Sequence, residues 1–168
     1  MTRIIISLII ILSIPDCHIA QAETKLIKQT LTDTTFYISL PPDFCIKRVE
    51  GSDFVVYYFN PADTTHTDTF SFGLYIGNFP SGFKQPDEHC NKEVLIGNLL
   101  AKPCKWGVYH CNDHYFIETI IENGDINTGE EWPILRSDEK IHAFGNSKKK
   151  EDLDAILEIF STFGKENK

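Results

Sequence analysis

Apolar residues recur at every second position through most of the chain. Phe70, Phe72, Leu74 and Ile76 alternate with Ser71, Gly73 and Tyr75, and Phe36, Ile38 and Leu40 alternate with Tyr37 and Ser39 until Pro41-Pro42. A period of two marks a half-buried strand. Cys45–Val49 and Phe54–Phe59 flank Gly51-Ser52-Asp53 as a hairpin whose second arm, apolar on both faces, should lie inside a sheet. Cys104–Glu122 forms a further hairpin, two aromatic and β-branched runs around the turn pair Asn112-Asp113. Its second arm should turn Ile117, Thr119 and Ile121 to one face and expose Glu118 and Glu122 on the other. Short strands are expected around Leu26-Ile27 and, as the last strand, at Ile141–Phe144. Asp87–Lys102 fits either a short helix or a strand, with Gly97-Asn98 as a break. Asn60–Thr69, Asn78–Pro86 and Asn123–Glu131 read as loops.

The period changes to 3.6 only near the end, where Leu153, Ile156, Leu157 and Phe160 form one stripe and Phe163 extends it. Ser147 is the expected N-cap, Glu151 and Asp152 suit the positive helix start, and Gly164 is the expected stop. A helix with one apolar stripe needs a surface to cover, and a sheet with one apolar face supplies it. The expected fold is therefore α+β: a mostly antiparallel β-sheet packed against a C-terminal α-helix, as a single domain over residues 23–168.

Residues 1–22 break both patterns. Arg3 precedes the apolar run Ile4–Ile14, Pro15 ends it, and Ala20-Gln21-Ala22 supplies the small residues of a cleavage site. These are the parts of a secretory signal peptide, with Glu23 as the first mature residue. The run is shorter than the ~20 residues of a membrane-spanning helix, and no later stretch is longer, so no stable membrane insertion is expected after cleavage. No N-x-Ser/Thr sequon occurs, which favours a bacterial periplasm. In such a space the remaining cysteines, Cys45, Cys90, Cys104 and Cys111, predict two disulfides with three possible pairings. Cys104 and Cys111 lie ~23 Å apart if the segment between them is extended, and could pair only if it bends back.

The net charge of −8 argues against binding nucleic acid or an anionic membrane, and favours a basic protein partner such as a cell-wall-active enzyme. No G-x-S-x-G elbow, C-x-x-C pair or phosphate-cradling glycine loop is present. No catalytic residue, metal ligand or cofactor is assigned. Glu118 with Glu122, or Glu130 with Glu131, would serve sugar hydrolysis only across a cleft. Trp106, Tyr109, His110, Asp113 and His114 are the candidate partner-binding residues, with Tyr115 and Trp132 as further aromatics. The alternative is a small secreted hydrolase or metal-dependent enzyme using His110 and His114 at the hairpin tip.

The order of elements, with F-Y-I-S-L-P-P-D-F near the start and L-D-A-I-L-E-I-F-S-T-F at the end, resembles small exported PsbP-like domains. That resemblance implies a curved antiparallel sheet against helices and a non-enzymatic binding or assembly role, with no site residue carried over. The Cys104–Cys111 stretch with His110 is distantly similar to cysteine-closed loops of periplasmic lysozyme inhibitors. The function expected from the sequence is an exported, non-catalytic protein-binding module: an inhibitor, an immunity-type protein or an envelope assembly factor.

Overall fold

Alternate burial makes strands of the period-two segments. The computed structural model describes residues 25–32, 34–63, 70–82, 90–122 and 139–166. The leader, Trp132, Glu130 and Glu131 lie outside them, as do residues 64–69, 83–86 and 123–131 of the expected loops and residues 87–89 of the ambiguous segment. In chain order the elements are β1 (Ile27–Thr30), β2 (Phe36–Leu40), β3 (Phe44–Glu50), β4 (Phe54–Pro61), β5 (Ser71–Gly77), β6 (Asn91–Leu99), β7 (Lys102–Cys111), β8 (His114–Glu122), β9 (Lys140–Ser147), α1 (Asp152–Ser161) and β10 (Gly164–Lys165). Seven strands form one antiparallel sheet in the order β3-β4-β5-β9-β8-β7-β6, and β1-β2-β10 form a smaller one. The architecture is α+β, as expected.

One face of the large sheet, here the inner face, carries Tyr57, Phe59, Phe72, Leu74, Trp106, Ile117 and Ile141 into the core. Helix α1 covers it with Leu153, Ile156, Ile159 and Phe160, and β2 adds Phe36, Ile38 and Leu40 to the same cluster. Phe160 packs at 5.2 Å from Trp106 and 5.4 Å from Phe72, and Phe36 stacks on Phe163 at 5.2 Å. Each such side chain contributes roughly 1.5–3 kcal/mol on burial, so this layer dominates the stabilisation.

Several local expectations are corrected. The ambiguous segment before Pro103 is strand β6, and it runs through Gly97-Asn98 without a break. Gly97 is needed for packing, since a Cβ there would lie 2.7 Å from Trp106 Nε1 and 2.9 Å from Leu157 Cδ2. Ser147 is not the N-cap of α1. It ends β9, where its Oγ accepts the Lys149 N–H at 3.0 Å and bonds the Asp152 carboxylate. The helix begins after Glu151, which makes no side-chain cap. Its C-cap is Thr162, whose hydroxyl donates to the Ile159 carbonyl and accepts the Ser39 N–H at 2.8 Å. Gly164 then starts β10, so β9 is not the last strand.

The cysteines also depart from two bridges. Cys90 and Cys111 form a disulfide, whereas Cys45 and Cys104 are free thiols. In the strand order β4, β5, β9 and β8 separate β3 from β7. Cys45 is exposed on the outer face of β3, and Cys104 is buried on the inner face of β7. Opposite faces and distant strands forbid that pairing.

Candidate functional site: the outer face of the large sheet

The face turned away from α1 carries apolar and aromatic side chains among its charged ones. Register sets one row straight across the sheet: Lys47, Tyr58, Gly73, Phe144, Glu118, Gly107 and Val94. A second row places Val49, Val56, Tyr75, His142 and Ile120 beside it. Aromatic rings fill the gaps between these rows. Phe54 stacks on Tyr75 at 5.5 Å, Tyr58 meets Phe144 edge-on at 6.2 Å, and Phe144 lies 5.2 Å from His142. Gly73 makes room for the Phe144 ring, which a Cβ would meet at 2.5 Å.

At the centre sits a polar pair. His142 Nε2 lies 2.9 Å from Glu118 Oε2, with side chains only 5% and 13% exposed. A carboxylate can only accept, so when Glu118 is ionised the imidazole is the donor. Seclusion on an outward face needs a cover, and the chain leaving β5 provides one. The Phe79 N–H donates to the Tyr75 hydroxyl at 3.0 Å, and a Cβ on Gly82 would lie 3.6 Å from Glu118 Oε2 and 3.7 Å from Ile120 Cδ1. Asn78–Gly82 thus crosses from β5 to β8 as a strap, with Phe79 78% exposed.

Beside the strap lies an open groove of about 300 Å³ lined by Lys92, Val94, Lys105, Tyr109, Glu118 and Ile120. Its floor opens where the β7–β8 ladder ends at Gly107↔Glu118, beyond which the Thr119 hydroxyl donates to the Lys105 carbonyl at 2.9 Å. Lys92 Nζ stands 5.3 Å from the centre of the Tyr109 ring. Burial pushes the Cys104 thiol, beneath on the inner face, above its ordinary pKa, against a smaller opposing effect of Thr119. A buried neutral thiol is a poor nucleophile.

The candidate partner-binding residues are scattered by this geometry. Trp106 is fully buried under α1 and cannot meet a partner. Tyr109 belongs to the outer groove. Asp113 is exposed in the turn next to Asn112, whose φ is 55°. His110 and His114 stand on opposite faces: His110 stacks on Tyr115 at 4.2 Å, and His114 lies on the side of Phe116, 6.4 Å away. Two side chains so placed cannot converge on one ion or one substrate bond, which removes the geometric basis of the His110–His114 enzyme reading. Among the described residues no group of three or more His, Cys, Asp or Glu forms a metal set.

Sequence reasoning missed His142 and took Glu118 as exposed. The available signal was the alternation through I-H-A-F-G-N, which puts a histidine opposite Ile141 and Ala143. The strap that buries the pair is set by no local pattern. No family model, curated protein or solved structure matches the chain.

Proposed function

We propose that this chain is an exported, non-catalytic protein-binding module and that the outer face of the large sheet receives a protein partner. One observation carries this reading. Of the large apolar side chains exposed among the described residues, Val49, Phe54, Tyr58, Val94, Ile96 and Ile120 lie on that face and Phe79 on the strap above it, leaving only Ile27 elsewhere. Exposed apolar side chains gathered on one face of a folded protein point to an interaction site. Aromatic anchors such as Tyr58 and Phe79 are the residue types that concentrate binding energy. The Cys90–Cys111 bridge is compatible with an oxidising compartment.

Such a face would serve an inhibitor, an immunity-type protein or an envelope assembly factor of the PsbP-like sort alike. A cell-wall-active enzyme with net positive charge suits the acidity of the chain. The test is capture from bacterial envelope extract with the immobilised wild type, Tyr58→Ser and Ile120→Asp. The expected result is one basic protein held by the wild type and weakened at least ~tenfold by either substitution, the cost of losing one good anchor. Capture that ignores both substitutions, or no capture of a wall-active enzyme, would refute the assignment.

A further inference from the structure

The two edges of the large sheet differ. Edge β3 carries Lys47, Arg48 and Glu50, and the Arg48–Glu50 ion pair at 2.8 Å keeps charge there. Edge β6 is nine residues long, and its outward side chains include Val94 and Ile96, 57% and 68% exposed. Among the described residues strand β6 pairs with β7 alone, residue for residue from Asn91↔His110 to Leu99↔Lys102. A long edge strand with exposed apolar side chains is a template for another strand.

The disulfide shows which backbone groups of β6 face away from β7. Cys90 and Cys111 are the next step of the β6–β7 ladder, and their Cα atoms are 4.6 Å apart. Such closeness marks a non-hydrogen-bonded antiparallel pair, for which ~4.5 Å is typical against ~5.5 Å for a bonded one. Counting along the uninterrupted register, Asn91, Glu93, Leu95, Gly97 and Leu99 bond to β7. Lys92, Val94, Ile96 and Asn98 then aim their N–H and C=O groups at the open edge, with side chains on the outer face.

We infer that β6 pairs with β6 of a second copy, antiparallel about a two-fold axis at Leu95. This goes beyond the partner-binding reading and does not depend on it. The register about Leu95 sets Val94 opposite Ile96 of the second copy, twice, and Lys92 opposite Asn98, twice. Every edge-facing residue meets another, each pair exchanges both hydrogen bonds, and no like charges face one another. Shifting by two residues in one direction puts Lys92 opposite Ile96. In the other, Ile96 meets itself and Val94 faces Asn98. An axis normal to the sheet keeps both outer faces on one side, so the two apolar faces join into one. Isologous pairing of this kind closes at two copies. One pair of strands buries little area beside a standard interface, so the association is expected to be micromolar.

Sedimentation equilibrium of the disulfide-intact mature chain measures it, with circular dichroism to confirm that each variant is folded. The wild type is expected to dimerise across the micromolar range. V94K/I96K places lysine opposite lysine at both pairs and should weaken self-association more than ~100-fold, whereas V94E/I96K places glutamate opposite lysine and should retain the dimer. A wild type that stays monomeric, or two double variants that behave alike, would overturn the proposal. A monomer that instead accepts a foreign extended peptide along β6 would overturn it too, identifying the edge as a peptide site.

Discussion

Cys45 and Cys104 show how one residue type acquires two chemistries from the face it occupies. Both follow the same alternation of their strands, but the odd position on β3 points to solvent and the even position on β7 points under α1. In the native protein a soluble alkylating reagent is expected to label Cys45 within minutes and to leave Cys104 untouched until denaturant is added. For the chain from Glu23 on, which lacks Cys17, intact-mass spectrometry reads one adduct before unfolding and two after. Equal native labelling of both would mean that the inner face is open. The raised pKa of Cys104 has a consequence for stability. The folded thiol holds its proton to higher pH than the unfolded one, so its contribution is complete below the unfolded value, ordinarily 9.0, and fades as pH rises through the folded value. Relative to Cys104→Val, the wild type should therefore lose stability above about pH 9 in urea titrations.

The hairpins are where elements show their internal tensions. Asn112 with φ 55° suits the β7–β8 turn, because asparagine tolerates the left-handed region. The β6–β7 turn uses Leu100 with φ 53° and Ala101 with φ 60°, a left-handed pair favoured by Asn-Gly and costly for side chains with a Cβ. Leu100 recovers part of that cost by packing against the core, while Ala101 is exposed and recovers nothing. The Cys90–Cys111 bridge closes the far end of the same hairpin and fixes its register. Ala101→Gly, a change that usually destabilises, is thus expected to stabilise by about 1 kcal/mol, and Leu100→Asn to be near neutral as lost packing offsets relieved strain. Chemical denaturation midpoints decide; a destabilised Ala101→Gly would show the turn to be unstrained.

These elements also show what was legible. Strand β2 and strand β5 followed from alternation, and α1 followed from its stripe, because those patterns are local. Strand β6 was ambiguous because Gly97 is chosen by a tryptophan nine residues away in sequence, across the turn, and composition alone reads it as a breaker. Ser147 looked like a cap because serine before acidic residues has that chemistry, yet it serves the turn that joins β9 to α1. The Glu118–His142 pair needed the order of strands and the path of Asn78–Gly82, neither of which a period reveals. Trp106 was misplaced for a related reason: aromatic residues in a strand read alike until one knows which face the helix covers.

At the scale of the whole molecule, charge and apolar surface are separated in their roles. The chain carries −8, yet the outer face itself bears Lys47, Lys92 and Lys105 beside Glu118 and Glu122, with Lys140 paired to Glu122. The face is therefore not an acidic patch, and charge complementarity cannot dominate the contact it makes. Net charge acts instead on approach, where a basic partner is drawn in from beyond contact distance, and apolar anchors decide how long it stays. Raising ionic strength shortens the Debye length from about 10 Å at 0.1 M to about 3 Å at 1 M. Stopped-flow or surface binding with a basic wall-active enzyme is expected to show an association rate falling ~10-fold or more over that range. The dissociation rate should change little. Tyr58→Ser should do the reverse, raising dissociation with association nearly unchanged. A salt effect confined to dissociation would place the ion pairs inside the contact, and the partner would then have to sit on another, more acidic surface than this sheet.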